Sequence, residues 1–458
     1  MSVPEGPVPR RDSDKPNTDI RTVLAASFIG TTIEWYDFFL YGTAAALVFS
    51  KLFFPSISDI NGVLASFATF AIGYLARPIG GLVFGHFGDR VGRKRMLVLS
   101  LLMMGFGTLV IGLLPTYATI GVWAPILLVT MRVLQGIGIG GEWGGAVLLA
   151  VEHAPAGRRG LYGSWPQMGV PAGLLLSTGV YKLVQGATSD ASFLAWGWRI
   201  AFLLSAVLIV VGLVVRLKVA ESPAFQEVKE TGTEARLPLI DVLKTYPRQV
   251  LIWMGLRAAE SVIFPLYTVF IFTYGKRIGI PQNTLLTAVI ISAALGLISI
   301  PIWAALSDRY GRRVVYLSGA LFSAAFATNW ERIGDVGIGL NGWIALVLGI
   351  NVGHNLMYGP QAAFFSELFG TRVRYSGASI VYQVTSAFAG GLAPLIAVSL
   401  LGAGGHQYLF IAAYVAGVSL LTCVAAYYSP DTRGQRIDHD PAHPADPASV
   451  RSPGTVEV

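Results

Sequence analysis

Charged residues and cysteine are both scarce in this sequence, and each shortage narrows the class of protein. Only 13% of the 458 residues are Asp, Glu, Lys or Arg, whereas soluble domains carry about 25%. Hydrophobic residues make up 53%. So little charge cannot cover the surface of a water-soluble protein of this length, and so much apolar content excludes a disordered chain. A polytopic membrane protein is the class that remains.

Further absences limit the chemistry. Cys423 is the only cysteine, which excludes a disulfide framework and a cysteine-based zinc site. The chain has no phosphate-binding loop of the Gly-x-x-x-x-Gly-Lys-Ser/Thr type, so we expect no ATP drive within it and no cofactor. The segment 1–20 is polar and proline-rich without an apolar core, so we expect no cleaved signal peptide.

Apolar stretches long enough to cross a bilayer recur along the chain. A spanning helix needs about 20 apolar residues, whereas a membrane barrel would need alternating segments of about 10 residues, which are absent. The predicted fold class is therefore an all-α membrane protein with twelve spans. Numbered in order, they lie near residues 22–49, 61–86, 95–115, 120–151, 160–184, 197–219, 249–275, 283–306, 313–330, 338–366, 376–402 and 407–428.

The distribution of Lys and Arg predicts the orientation. They concentrate in the loops after spans 2, 4, 8 and 10, for example at Arg93, Arg158 and Arg312, and are sparse after odd-numbered spans. Because cytoplasmic loops collect these residues, we expect both termini in the cytoplasm and a multi-pass protein of the cell's inner (plasma) membrane. The net charge of +7 is then a topology signal, and no nucleic-acid partner is expected.

A change of composition predicts the domain boundaries. Residues 220–248 are rich in charge and are interpreted as a cytoplasmic linker between an N-terminal bundle, 21–219, and a C-terminal bundle, 249–428. Residues 1–20 form an N-terminal tail. Residues 429–458 are rich in Pro, Asp and Arg, and we expect a disordered tail there.

The two halves repeat one another. Asp89 and Asp308 lie in similar Asp-Arg-x-Gly-Arg turns, one in each half. The Glu152/Arg159 pair recurs as Glu367/Arg374, displaced along the chain by nearly the same offset. Two motifs at nearly one offset indicate a duplicated six-helix unit.

The turn at 85–95, with its degenerate copy at 304–313, resembles the signature loop of the major facilitator superfamily. Blocks at 33–42, 76–81, 132–145 and 358–361 resemble its metabolite:proton symporter branch, which includes shikimate, alpha-ketoglutarate and proline/betaine permeases. The resemblance implies two pseudo-symmetric six-helix bundles and alternating access. It also implies a cytoplasmic gate, formed by Gly85, Asp89, Arg90, Gly92, Arg93, Glu152, Arg159, Asp308, Arg309, Arg312, Glu367 and Arg374.

Ionisable residues inside spans cost about 2.5–3.5 kcal/mol each to insert, so they point to function. Glu34 and Asp37 share a face of span 1, and Arg132 and Glu142 lie in span 4. A carboxylate in a low-dielectric cavity can exchange a proton near neutral pH, and Arg132 could switch partner as it does so. We predict proton coupling at these four residues. The alternatives are substrate binding, of an ammonium group by Glu34 and Asp37 or of a carboxylate by Arg132, and a permanent bridge between Arg132 and a carboxylate.

Membrane arginines also suit a substrate carboxylate. Arg77 in span 2 and Arg257 with Glu260 in span 7 are candidates, although Arg77 could instead cap backbone opened by Pro78, and Arg257 could bridge Glu260. Aromatic and amide side chains of the spans could contact substrate or simply pack: Tyr36, Trp143, Gln167, Tyr358, Gln361 and Gln383. His354 is interpreted as a hydrogen-bonded core residue.

Together these features predict a proton-coupled symporter, not an enzyme, that imports a small organic acid. A proline/betaine-type zwitterion and a non-coupled exporter or uniporter stay open as alternatives. A membrane enzyme or sensor is disfavoured because the six histidines form no cluster and the tails are short. The expected partners are the substrate, protons and the lipid bilayer, and the protein is expected to be monomeric.

Overall fold

A computed structural model describes residues 20–55, 59–91, 93–140, 143–155, 157–218, 244, 246–330, 340–368, 374–401 and 407–434. Within these ranges the secondary structure is helical and no strand occurs. Every predicted span coincides with a helix or a consecutive run of helices. The all-α prediction is therefore confirmed.

The N-terminal half is built from six consecutive helical runs. Spans 1 and 2 contain Ile20–Ala44, a π-helical turn at Ala45–Phe49, Ser50–Leu52, Asp59–Leu75 and Arg77–Val91. Spans 3 and 4 contain Arg93–Leu113, Tyr117–Ile120, Trp123–Ile139 and Trp143–Glu152. Spans 5 and 6 contain Arg159–Ala187, Asp190–Ser192, a π-helical turn at Phe193–Gly197, Trp198–Leu203 and Ser205–Lys218.

The C-terminal half follows the same order. Spans 7 and 8 contain Pro247–Pro265, a π-helical turn at Leu266–Phe270, Ile271–Arg277 and Gln282–Tyr310. Spans 9 and 10 contain Arg312–Phe326, a 3₁₀ turn at Ala327–Asn329, Leu340–Leu348, a π-helical turn at Gly349–His354 and Asn355–Glu367. Spans 11 and 12 contain Arg374–Thr385, a π-helical turn at Ser386–Gly390, Ala393–Leu401 and Gln407–Tyr428.

Length and composition make six helices in the described residues suitable for crossing a membrane, among them Pro247–Arg277 and Gln282–Tyr310. Large apolar side chains such as Leu183, Leu251 and Val210 are exposed on the outer surface, which is the surface that lipid would cover.

Small residues let helices approach closely within each half. A Cβ atom at Gly80 in span 2 would collide with the carbonyl oxygen of Ile137 in span 4, and one at Gly136 would collide with the carbonyl of Gly73. Such contacts between backbones are the usual means of tight helix packing in membranes. Spans 2 and 4 therefore form one rigid pair.

The two halves contact each other mainly where span 5 lies along span 8. At one end of this pair Asp308 meets the first turn of span 5. At the other end Lys182 donates to Thr287 across 2.5 Å, and Gln282 donates to Gln185 across 3.2 Å. The halves are thus joined at both ends of this seam, and the polar residues between them are enclosed.

Candidate functional site

Span 7 contributes two buried charges, Arg257 and Glu260, with several hydrogen bonds each. Arg257 Nη1 donates to Glu260 Oε2 and to Gln361 Oε1, each across 2.8 Å, and Arg257 Nη2 donates to Ser386 Oγ across 3.0 Å. Gln361 Nε2 donates to Glu260 Oε2 across 3.2 Å. The predicted candidates Arg257, Glu260 and Gln361 therefore form one cluster that ties spans 7, 10 and 11 together.

An aromatic stack extends this cluster into the N-terminal half. The guanidinium carbon of Arg257 lies 3.4 Å from the ring centre of Tyr382, and the other predicted candidate Trp143 stacks on Tyr382 at 3.7 Å with 18° between the ring planes. Trp143 Nε1 also donates to Gln167 Oε1, and Gln167 Nε2 donates to the carbonyl of Tyr358. Spans 4, 5, 7, 10 and 11 therefore meet at one place.

Arg77 lies buried at the same level without a carboxylate partner among the described residues. Its guanidinium carbon is 4.2 Å from the ring centre of Tyr74 and 4.8 Å from that of Phe38, and its charge acts on Tyr382. Its Nε atom has no hydrogen-bond partner. Arg77 is therefore a desolvated cation held by aromatic faces, and a buried charge of this kind calls for an anion.

A second polar cluster lies inside the N-terminal half. Arg132 Nη1 donates to Gln135, and Gln135 donates to Thr108, while Asp37 Oδ1 accepts from Ser205 across 2.9 Å. The charge of Arg132 acts on Asp37, but the two groups form no ion pair. Asp37 is 1% exposed, and its Oδ2 atom has no hydrogen-bond partner. Within the described residues, then, Arg132 makes no permanent bridge to a carboxylate.

Several buried polar atoms near these clusters lack a well-aligned hydrogen bond: Arg77 Nε, Arg257 Nε, Tyr358 Oη, Tyr382 Oη and Gln383 Oε1. The two tyrosine hydroxyls lie close enough to interact with each other. Buried polar groups are nearly always hydrogen-bonded, so an unpaired group needs an explanation. A small ligand with acceptor and donor atoms would supply partners for the arginine and tyrosine atoms. The arrangement therefore has the features of a polar binding site between the two halves.

The other predicted residues have more local roles. Tyr36 donates its hydroxyl to the carbonyl of Ala201 across 2.7 Å, which uses it within the N-terminal half. Gln383 Nε2 donates to the carbonyl of Gly140 and so joins the two halves. Glu34 is buried one turn from Asp37, and its charge reaches Tyr382. Glu142 lies outside the described residues.

Asp308 is the centre of the predicted gate. Its two carboxylate oxygens accept from the backbone amides of Gly160 and Leu161 at 2.8 and 2.9 Å, and Arg312 Nη1 donates to Oδ1 across 2.6 Å. The amides belong to the first turn of the span 5 helix, whose orphan N–H groups and positive dipole end favour a carboxylate. An aspartate of one half therefore caps a helix of the other.

Glu367 completes this network. It accepts from Arg312 at 3.2 and 3.3 Å, lies 3.8 Å from Arg159, and accepts from Thr432 Oγ1 across 2.6 Å. Asp431 accepts from the backbone amide of Arg312 across 3.1 Å. Defined contacts thus extend to residue 433, so the tail predicted as disordered from 429 begins with a segment that is fixed to the gate.

Two of the remaining predicted gate residues, Arg309 and Glu152, are exposed. The backbone carbonyl of Arg309 accepts from Arg433, and its side chain is exposed. Glu152 is exposed at the end of its helix. Gly92 lies outside the described residues, as do the side chains of Asp89, Arg90, Arg93 and Arg374 and the surroundings of Gly85.

Several residues of these polar clusters are not predicted from the sequence. Ser386 and Ser205, which bind Arg257 and Asp37, carry no signal because serine is an ordinary residue of membrane helices. Tyr382 stands out in the sequence only as one aromatic among many. Asn351 and Asn355 are not among the predicted residues, although two asparagines one turn apart in an apolar span are a usable signal.

Comparison with known proteins assigns the family. The model of the family "Sugar (and other) transporter" matches residues 22–247 and 239–439. The chain belongs to this transporter family. It has the fold of the major facilitator superfamily and is a multi-pass membrane protein, and its relatives are transporters rather than enzymes.

Curated relatives match nearly the whole chain. It is 41% identical to the Escherichia coli (strain K12) shikimate transporter over 418 residues, which cover 90% of this chain and 95% of the relative. It is 42% identical to the inner membrane metabolite transport protein YhjE of the same strain over 91% of this chain and 95% of that one. The proline/betaine transporter of that strain is 34% identical over 88% and 83%.

Solved structures agree on the fold. The D-xylose-proton symporter covers 91% of this chain and all of its own chain, with a TM-score of 0.67 at 20% identity. A proton:xylose symporter bound to 6-bromo-6-deoxy-D-glucose gives a TM-score of 0.71 at 19% identity over 92% and 98% of the two chains. At this identity the likeness concerns the fold alone.

The gate geometry gives a first testable prediction. Hydrogen bonds to charged groups contribute about 1.5–3 kcal/mol each, so Asp308→Asn should shift the protein towards a state that is open at this end by about tenfold. The measurement is the alkylation rate of a cysteine placed at Ala362, a buried residue beside Gly163 of span 5, in a Cys423→Ser background.

Asp190→Asn is the matched control, because Asp190 is exposed at the opposite end of the seam and should leave the rate unchanged. Equal alkylation rates in Asp308→Asn and the parent would contradict the gate assignment.

Proposed function

We propose that this protein imports a small organic acid, of the shikimate- or alpha-ketoglutarate-like class, together with protons. The observation that carries the proposal is Arg77, a buried guanidinium without a carboxylate partner among the described residues. A substrate carboxylate would supply the missing anion, and the hydroxyls of Tyr358 and Tyr382, which interact with each other, would suit the polar groups of a hydroxylated or keto acid. The shikimate transporter among the relatives supports this substrate class.

Asp37 is the proposed coupling residue, acting with Arg132. Its Oδ2 atom is buried without a partner, and the guanidinium of Arg132 acts on it without forming an ion pair. A carboxyl group held this way can gain and lose a proton without breaking a bridge. Glu34 is a second carboxylate on the same helix face. Glu142 is also included in the proposal as a proton-coupling residue.

Alternating access then depends on the two ends of the seam between spans 5 and 8. Opening towards the cytoplasm requires Asp308 to leave the amides of Gly160 and Leu161. Opening towards the outside requires Lys182 and Gln282 to leave their partners. Only one end opens at a time, so the central site is accessible alternately from the two faces of the bilayer. We place the protein in the inner membrane as a monomer with both termini in the cytoplasm.

Uptake in proteoliposomes tests this proposal. Labelled shikimate should accumulate when the outside is made acidic, and an uncoupler should abolish the accumulation. Accumulation that persists after the pH gradient and the membrane potential have been collapsed would contradict symport. Stronger competition by proline or betaine than by unlabelled shikimate would favour the zwitterion alternative, and equilibration without accumulation would favour a uniporter.

A further inference from the structure

His354, in span 10, is held between groups that fix its orientation. Its ring stacks on Phe264 at 4.4 Å and on Tyr358 at 5.0 Å between ring centres. Nδ1 lies 2.7 Å from Asn355 Oδ1, and Nε2 lies 3.2 Å from Glu260 Oε1. The ring is 1% exposed. Both ring nitrogens therefore face oxygen atoms and cannot turn to other partners.

The amide of Asn355 must present its oxygen to His354, because its nitrogen is already used. Asn351 Nδ2 donates to the backbone carbonyls of Ser292 and Val347, which fixes Asn351 Oδ1 as an acceptor. Asn355 Nδ2 donates to that oxygen across 3.3 Å and to Ser299 Oγ across 2.8 Å. Two backbone carbonyls thus determine the direction of the whole chain of amides.

The orientation of these two amides determines which nitrogen of the His354 ring carries a hydrogen. Since Asn355 Oδ1 can only accept, His354 Nδ1 must carry a hydrogen. A neutral imidazole has one N–H, so Nε2 of a neutral ring would be an acceptor that faces a second acceptor, the Glu260 carboxylate. The contact between Nε2 and Oε1 is a hydrogen bond only if it contains one more proton, either on Nε2 or on Glu260 Oε1.

We propose that His354 and Glu260 together bind a dissociable proton at the Nε2···Oε1 contact, forming a proton site in the C-terminal half that is separate from Asp37. The ionisable groups that face this pair are Arg257 in span 7, Tyr316 in span 9, Tyr358 in span 10 and Tyr382 in span 11. Among the described residues, span 8 faces it with neutral groups such as Ser299.

The same carboxyl group connects this proton to Arg257. Glu260 Oε1 faces His354, while Oε2 accepts from Arg257 and Gln361. A substrate anion that draws Arg257 away leaves Glu260 with less positive charge beside it. The proton bound between Glu260 and His354 then balances the negative charge of the Glu260 carboxylate. Substrate and proton binding are therefore coupled, and by linkage each strengthens the other. This coupling step rests on the proposed function, whereas the proton site itself does not.

Nitrogen-15 NMR of the full chain, labelled at its six histidines in lipid nanodiscs, tests the site without any transport. The signal of His354 is identified by its loss in His354→Gln. We expect Nδ1 to be protonated. In addition, either Nε2 is protonated, or the infrared spectrum shows the band of a protonated Glu260 carboxyl group. A neutral ring with its hydrogen on Nε2, or a neutral Nδ1–H ring beside an ionised Glu260, would overturn the proposal.

Glu260→Gln is the matched variant, because its amide can donate to Nε2 in place of the proton. In this variant the His354 ring should stay neutral, with its hydrogen on Nδ1, across the pH range in which the protonation of the pair changes in the parent. The coupling is tested by calorimetry of shikimate binding in buffers of different ionisation enthalpy, in an Asp37→Asn background. His354→Gln should lower the proton uptake that accompanies binding, and an unchanged uptake would overturn the coupling. Absence of shikimate binding in every variant would contradict the proposed function and leave the NMR result standing.

Discussion

Replacing Arg77 with glutamine should weaken shikimate binding by about 100-fold while the protein stays folded. Two hydrogen bonds from a guanidinium to a carboxylate contribute about 1.5 kcal/mol or more each, and every 1.4 kcal/mol is a factor of about ten in affinity. Because Arg77 is buried and has no carboxylate partner among the described residues, its removal breaks no ion pair among them. Calorimetric titration with shikimate, together with thermal unfolding, measures both quantities.

Arg257→Gln provides the contrast. Its loss leaves Glu260 buried next to Gln361 without its cation, and breaking a buried pair from one side costs about 3–5 kcal/mol. We therefore expect a large fall in thermal stability for Arg257→Gln, partly recovered in the double variant Arg257→Gln/Glu260→Gln. Unchanged shikimate affinity in Arg77→Gln would remove Arg77 from the binding site.

Replacing Asp37 with asparagine should lower uphill accumulation by about tenfold but preserve exchange. A pH gradient of one unit supplies about 1.4 kcal/mol per proton, which drives about a tenfold accumulation. Asparagine can still accept from Ser205 but cannot bind and release a proton, so the accumulation ratio should fall by the factor of about ten that one proton drives. Uptake and counterflow are measured with the same proteoliposomes, and the exchange rate should remain close to that of the parent.

Asp190→Asn, which neutralises an exposed aspartate outside the site, is the control and should accumulate shikimate like the parent. Glu34→Gln separates the two carboxylates of span 1, because it should retain the parent's accumulation whereas Asp37→Asn should lower it by about tenfold. Normal accumulation by Asp37→Asn would show that the coupling proton binds elsewhere.

The sequence predicts the fold well because a bilayer imposes simple rules. Spans need a certain length of apolar residues, and the repeat of Asp89 as Asp308 indicates two similar halves before any coordinates are considered. The same reasoning places Arg257, Glu260 and Gln361 at a polar site, since charge inside a span is costly and must be satisfied by neighbours. The structure brings these three together directly.

Partners that come from distant spans are beyond prediction. No pattern in the sequence pairs Asp37 with Ser205, 168 residues away, because a serine in a membrane helix more often bonds to its own backbone. Burial alone supports the interpretation of His354 as core; its significance depends on the direction of two amides, which only the packing of spans 8 and 10 determines. The contact between Thr432 and Glu367 is not predicted either, because the polar composition of the tail indicates disorder rather than a defined contact.

The bond between Asp308 and span 5 has a consequence for how this gate can change by mutation. Its acceptors belong to a side chain, but its donors are main-chain amides of Gly160 and Leu161, which every residue except proline provides. Substitutions of the Leu161 side chain therefore leave the donors intact, whereas position 160 cannot gain a Cβ atom without approaching Arg312 Nη1 to 2.6 Å. Mutational sensitivity at this contact should thus be strongly unequal, with Asp308 and Gly160 intolerant and position 161 permissive. A saturation library of the three positions, selected for uptake, would show this asymmetry as a difference in the number of accepted residues.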